Sequence, residues 1–547
     1  MHNYIIGIDT GGTFTDAVLL DKGDGTILAT AKTPTTHYRL SAGIATALTE
    51  ILRLHPAAAR QSSAVCVSST LATNSVVENK GARVAVLVIG YVKHFKLPVK
   101  SIAYVDGGHT IDGSEEQPLD LDTLVELLAD LKNEVDAYGV CAAMAMKNPT
   151  HELVAEKAIA MVDPKPVFCS HRISQQAGMQ GRAATVALHA RLMPVMSAFI
   201  DGVKKAMSEH DLQCPLLIVG GNGSALAAER VVGEAALTVA SGPACSARFG
   251  AQQGAADCLV VDVGGTTTDI ALIADGRPQL ADEGCRIGDW LTHVAAIDMH
   301  TGGIGGGSPV HLDSHGTLHL GPVRVSPLAL TGQLPPPGDW LGAEGCSRLI
   351  VVRREAVDAL PANELGKLLR SANWLTPAAI RAHTGLGGIP LDRQLEELAQ
   401  REMITTSGFT PTDALHVLGQ LSIGDPAAAI AGAEILGRAA GLSSQDFARK
   451  VLDLAEETIA NLVLDYLARR FYGDGLGAFL ADRAAHPALG VEFTLRLPLV
   501  GIGAAARALL PGVAARLKTT VSFPRHGEVG NAVGAALIGL SGNRPPP

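Results

Sequence analysis

Two short apolar runs near the start of the chain, Tyr4-Ile5-Ile6 and Ala17-Val18-Leu19-Leu20, bracket a polar, glycine-bearing stretch. The pattern returns far downstream as Leu259-Val260-Val261 and Ile270-Ala271-Leu272-Ile273. Apolar runs rich in β-branched residues on either side of a Gly-Gly pair predict a strand–turn–strand hairpin in each place. Between and beyond them, strand and helix periods alternate. Helices are expected over 41–54, 75–80, 121–132, 149–161 and 185–207, the last kinked near Pro194. Strands are expected over 83–89, 137–145, 167–173 and 215–223, and Ser241-Gly242-Pro243-Ala244 opens another helix. Such alternation predicts an α/β fold.

The pattern changes over 335–408. Pro335-Pro336-Pro337-Gly338 reads as a break, and helical segments near 362–371, 376–383 and 391–402 predict a small helical, winged-helix-like insert for packing or partner docking. A long amphipathic helix follows over 447–467. Leu497 to Ala506 then reads as a strand, a Gly501-x-Gly503 turn and a helix start. The last helix, from Val529, carries small residues along one side, which suits close packing at a junction between domains. The expected division is a first domain over 1–250 and a second over 255–547, the second carrying the insert.

At 547 residues the chain exceeds one ordinary core, so at least two domains are expected. Its hydrophobic share of 47%, with 18% charged residues, is that of a globular protein. A net charge of −10 without a Lys/Arg cluster argues against a nucleic-acid partner. The longest apolar run, around 82–92, is too short to cross a bilayer, and a strand follows Met1 too closely for a signal peptide; no membrane role is expected. Eight cysteines without a C-x-x-C pair fit reduced thiols in a cytoplasmic protein.

The turns carry the chemistry. Asp9-Thr10-Gly11-Gly12-Thr13-Phe14-Thr15-Asp16 and Asp262-Val263-Gly264-Gly265-Thr266-Thr267-Thr268-Asp269 agree at six of eight positions. Glycines admit close backbone approach to a ligand. Threonine hydroxyls beside exposed N–H groups suit phosphate oxygens. Carboxylates repel phosphate, so the aspartates point to a bound cation or a water instead. Ser69-Thr70-Leu71-Ala72-Thr73-Asn74 is either an anion site, with Thr70 and Asn74 toward a substrate, or an ordinary hydroxyl-capped helix. Asp298-Met299-His300-Thr301 leads into Gly302-Gly303-Ile304-Gly305-Gly306-Gly307-Ser308, either a hinge or a backbone cradle. If this entry is extended, Asp298 and His300 share one face, as ligands of a substrate or a second divalent metal, or simply as a hydrogen-bonded pair.

Paired phosphate hairpins resemble the superfamily of actin, the heat-shock ATPases and the sugar kinases. The first motif, with Glu78 and Gly81, Ser170-His171, Arg182, Thr185, Ser241 to Ala244, Thr412-Asp413-Ala414 and Leu418-Gly419, is similar to the hydantoinase A/5-oxoprolinase family, which includes ATP-binding subunits of acetone and acetophenone carboxylases. Where the family usually carries Ser-Ala-Gly-Ala-x-Pro-Gly-Pro, this chain has Val325 to Leu330. It is also expected to lack an extra C-terminal domain.

The resemblance implies two actin-like (ribonuclease H-like) domains around a nucleotide cleft, and an oligomer built with a hydantoinase B-type subunit. ATP would sit on Gly11, Gly12, Thr13, Phe14, Thr15, Gly264, Gly265, Thr266 and Thr267, with Gly501 and Gly503 beside its adenosine. Asp9 and Asp262 would hold Mg²⁺, and His300 would act on the substrate. The implied reaction is phosphorylation of the carbonyl oxygen of a hydantoin or lactam before ring opening. Ketone carboxylation and an ATPase reactivating factor are the alternatives.

Overall fold

The computed structural model describes residues 3–12, 14–35, 40–77, 81–91, 93–173, 178–281, 286–287, 290–321, 324–332, 334–342, 345–473 and 492–541. Thr13, Glu78, Lys80, Cys285 and 545–547 lie outside them.

Both apolar bracketing patterns fold as expected. Tyr4–Thr10 pairs antiparallel with Phe14–Asp21, and Cys258–Val263 with Thr268–Ala274. Around each hairpin the same sheet is built. In the first, Ile27–Pro34 joins the outer strand antiparallel, while Ser62–Ser69 joins the inner strand parallel and is followed by Leu216–Val219, also parallel. In the second, Arg277–Pro278, Leu499–Ile502 and Val521–Ser522 take those three places in the same orientations. One strand order with one set of directions, repeated, is the duplicated actin-like α/β architecture.

A core wraps each sheet, and a third lies between them. The third combines Ile5, Val18 and Cys66 of the first half with Val260, Ile273 and Val500 of the second. Two helices complete it, Ser241–Gln253 and Gly530–Ser541. The second is the expected small-residue helix, and its glycines and alanines touch backbone. A Cβ on Gly7 would sit 2.1 Å from the Ala532 carbonyl oxygen, and one on Gly534 would sit 2.1 Å from that of Cys245. The last helix is thus clamped against a first-sheet strand and against the helix that precedes the second hairpin.

The long helix runs over Met179–Glu209, earlier at its start than its period suggested, with Pro194 inside it. Among the described residues it is the one helix long and apolar enough to cross a membrane; 72% of its apolar window is buried inside the protein, as in a core helix. The insert forms three helices, Glu364–Ser371, Pro377–Thr384 and Gly388–Gln400, against the strands Arg348–Val352, Trp374–Leu375 and Ile404–Gly408. Ile350, Leu369, Ile380 and Leu391 give it a core of its own. The seven described cysteines are free thiols.

The Gly7 contact yields a test. Gly7→Ala forces a methyl into the Ala532 carbonyl, so the strand and the last helix must separate. A loss of at least about 2 kcal/mol is expected, the scale of overpacking a tight core, read as a fall in Tm. An unchanged Tm would show that the last helix yields without cost.

Candidate functional site

Two hairpins in the same register place four carboxylates alike. Asp9 faces Asp16 across the first, and Asp262 faces Asp269 across the second. The turns close alike too: Gly11 N–H donates to the Phe14 carbonyl (3.1 Å) and Gly264 N–H to that of Thr267 (2.9 Å). Gly12 is open, with nothing within 4 Å of where a Cβ would stand. The first tip therefore presents bare backbone.

A short polar chain joins the halves. Ser68 donates to Asp9 Oδ1 (2.6 Å), and the Asn531 amide donates to Asp9 Oδ2 (3.4 Å). Ser246 Oγ lies 2.6 Å from Asp262 Oδ2 and also meets Asn531 Oδ1. Ser246 has one proton for two acceptors, so this chain has a donor too few while Asp262 is ionised.

Burial raises the proton affinity of the whole group. It pushes Asp9 up to about 7, with the charges of Asp16 and Asp262 adding to the rise and Ser68 and Asn531 opposing it. It pushes Asp269 up to about 7 as well, against the hydrogen bond from Thr301. Asp262 is raised by the same burial, and Asp16 is raised despite Lys32, whose ammonium sits 2.8 Å from it. Such a group stays ionised when a cation shares it.

The residues present fit a metal-bound nucleotide. The Thr10 hydroxyl is buried without a partner among the described residues, directly before the Gly11-Gly12 tip. The Arg324 guanidinium lies by the second tip, 3.6 Å from the Cβ position of Gly265, and burial lowers its pKa. Phe14 is exposed, with the Lys32 ammonium 4.9 Å above its ring. Thr266 and Thr267 are partly exposed at the second tip.

Other expected site residues are placed differently. Thr15 is buried and bonds Thr35 (3.2 Å), and its counterpart Thr268 donates to the Ile304 carbonyl (2.8 Å); alternation along each strand turns both inward. Gly501 belongs to the sheet, where a Cβ would strike the Phe523 ring at 2.6 Å, so its small size serves the core. Gly503, at φ +91, backs onto the Asp262 carboxylate. Thr70 donates to the Thr10 carbonyl (3.3 Å) and receives Asn74 (3.3 Å), a brace behind the first tip.

Asp298 and His300 share a face, as expected of an extended segment, but that face lies against the helix Ser444–Tyr472. Asp298 bonds Tyr466 (3.1 Å) and pairs with Arg470, while His300 sits 3.5 Å from Asp465. Each has its own charged partner, so the pair is braced against this helix rather than bonded to each other. Thr301, on the opposite face, reaches the carboxylate group at Asp269 Oδ1 (2.6 Å). The glycine stretch is neither hinge nor open cradle. Gly306 and Gly307 N–H groups donate to the carbonyls of Gly264 and Gly265 (3.0 and 2.8 Å), and a Cβ on Gly305 would strike Gly264 O at 2.6 Å. It buttresses the second tip.

Sequence reasoning passed over Ser68, Ser246, Arg324 and Asn531, and gave Thr301 no role of its own. Asn531 carried one signal, as a polar residue in a helix of small and apolar ones.

The family model described as the hydantoinase/oxoprolinase N-terminal region matches residues 5–162, and the one described as hydantoinase/oxoprolinase matches residues 182–538. The caprolactamase subunit alpha of Pseudomonas jessenii is 31% identical over 360 residues, covering 58% of this chain and 50% of that one. The chain thus spans about half the length of that relative. Nucleotide-free acetone carboxylase superposes with a TM-score of 0.68 at 18% identity, over 98% of this chain and 70% of that one. The ATP-dependent caprolactamase of Pseudomonas jessenii gives 0.64 at 22%, over 97% and 70%. Both share the fold.

Two tests follow from the carboxylates. The Asp9 pKa rises from its ordinary 3.8 to about 7 on folding, so the folded chain holds more protons than the unfolded one between those values. Stability from this group is present below the ordinary pKa and falls as pH climbs to about 7. Asp9→Asn should therefore raise Tm at pH 8 without metal, while Mg-ATP turnover falls at least about a hundredfold. A lower Tm together with intact turnover would contradict the assignment. Gly503→Val should push on Asp262 and weaken Mg-ADP binding about tenfold or more, the effect of one lost charge-assisted contact. Unchanged affinity by calorimetry would detach Gly503 from the site.

Proposed function

Because the chain belongs to the hydantoinase/oxoprolinase family, we propose that it uses ATP to activate the carbonyl oxygen of a cyclic amide, a lactam or hydantoin, for ring opening. The observation that carries this reading is the carboxylate group shared by two matching hairpins, each closed by a Gly-Gly turn.

An amide carbonyl is a poor electrophile because resonance stabilises it. Transfer of the γ-phosphoryl group of ATP to its oxygen converts that oxygen into a leaving group and couples ring opening to ATP hydrolysis. Such a transfer needs alignment and charge neutralisation more than covalent help from the protein. Asp9 and Asp262 would hold Mg²⁺, which would draw charge from the phosphates as transfer proceeds. The N–H groups around Gly11-Gly12 and Gly264-Gly265, the Thr10 hydroxyl and the Arg324 guanidinium would orient the phosphate oxygens. Asn531 and Ser246 would tie the two carboxylates together, so that both halves close on one ion. Family membership and similarity to a caprolactamase subunit suit one subunit of a larger assembly, with a companion of the hydantoinase B type completing the hydrolysis.

The direct test uses a lactam labelled with ¹⁸O at its carbonyl, given to the chain with Mg-ATP, alone and with a co-expressed companion. Label in the inorganic phosphate is expected. ATP turnover driven by ketone and bicarbonate instead, with no response to any lactam or hydantoin, would move the chain to the carboxylases.

A further inference from the structure

The strands Ser101–Val105, Val84–Ile89, Ala137–Ala142 and Val167–Cys169 form a separate sheet, in that order and parallel throughout. The chain enters at Val84–Ile89, steps to one side, then crosses to the other, so its direction switches between Val84–Ile89 and Ala137–Ala142. Ligands of parallel α/β sheets settle beyond the carboxyl ends of the strands at such a switch.

That edge carries a buried polar group that the nucleotide site does not use. Glu152, Ser170 and Arg182 are fully buried. The Glu152 carboxylate accepts four hydrogen bonds: from Ala142 N–H (2.8 Å), His171 N–H (2.8 Å), His171 Nδ1 (2.7 Å) and the Ser170 hydroxyl. Arg182 donates to the Ala142 carbonyl (3.2 Å) and to Ser170, and its charge lies 3.9 Å from Glu152. Glu152, Cys169 and His171 come within 4.8 Å of one another, yet the chemistry does not suit a metal. The carboxylate is saturated, a cation already sits beside it, and burial pushes the Cys169 thiol far up, keeping it protonated.

The arrangement instead fixes one imidazole. A ring nitrogen facing a carboxylate must carry the proton, so Nδ1 of His171 is N–H and Nε2 is the ring atom left to meet a ligand. His171 keeps part of its side chain exposed, 20%, and its Nε2 has no partner among the described residues. A second imidazole stands beside Arg182. His293 donates its backbone N–H to Thr185 (2.9 Å), and its ring fits only because Gly181 lacks a Cβ, which would lie 2.4 Å from Nε2. Both ring nitrogens of His293 are buried without partners among the described residues. Leaving the two His293 ring nitrogens unsatisfied costs about 1–3 kcal/mol.

We propose that this edge recognises the cyclic amide, whose N–H donates to Nε2 of His171 in the tautomer that Glu152 sets. Arg182 cancels the charge of Glu152, so the site suits a neutral lactam over a carboxylate or a phosphate. This rests on the reading of the chain as a cyclic-amide-activating enzyme.

The test uses the full chain and caprolactam. Protein labelled with ¹⁵N-histidine is titrated with the lactam, and the His171 ring resonances are identified by their loss in His171→Gln. A saturable shift of His171 is expected, with none at buried His189. In the same variant, kcat/KM for lactam-dependent ATP hydrolysis should fall about tenfold or more, the scale of one lost substrate hydrogen bond, with Mg-ADP affinity and Tm near wild type. A His171 shift without lactam-driven turnover would sink the activity and leave the site standing. Lactam-driven turnover with no His171 shift and equal rates in the variant would overturn the site and leave the activity. Absence of any His171 shift overturns the site in every case.

Discussion

Carboxylates enclosed by protein repel one another, and the arrangement around Asp9 and Asp262 exists to hold them together regardless. Neither half of the chain could do this alone. The duplicated sheets deliver one hairpin each, and Asn531, on a helix belonging to neither sheet, touches the aspartate of one half and the serine that serves the aspartate of the other. Raised proton affinities at Asp9 and Asp269 record the tension. In the proposed reading, a cation shared by these carboxylates would offset their mutual repulsion and favour their ionised forms.

Much of the unusual glycine content serves this geometry through backbone contact rather than flexibility. Gly7 and Gly534 let the last helix touch main chain on both sides, which sets the position of Asn531. Gly305 to Gly307 lie against the second tip and fix its carbonyls with two backbone hydrogen bonds, and Thr412 secures Gly306 in turn at 2.7 Å. The first tip has a different support, Thr70 and Thr35, whose hydroxyls hold the Thr10 and Gly11 carbonyls. The two tips are alike in their turns and unlike in what stands behind them.

The hairpins, the α/β class and the small-faced last helix were legible because each rests on local pattern: apolar runs, Gly-Gly turns and a period of small residues. The insert was legible for the same reason, its three helices lying within a few residues of their expected places. What failed were statements about which way a side chain points once tertiary contacts decide. Period-two alternation correctly put Asp298 and His300 on one face, but only the helix Ser444–Tyr472 determines that this face is covered. Glycine spacing at Gly501 resembled a ligand turn, whereas Phe523 claims the space. Asn531 was illegible because its partners, Asp9 and Ser246, lie hundreds of residues away in sequence.

The central claim is that one cation sits between the two hairpins, shared by Asp9 and Asp262. Anomalous diffraction from crystals grown with Mn²⁺ and ADP tests it directly. The account predicts a single strong manganese peak at the carboxylates, with the diphosphate against Gly11-Gly12 and Gly264-Gly265. A manganese peak away from both aspartates, or ADP bound outside the two tips, would contradict it.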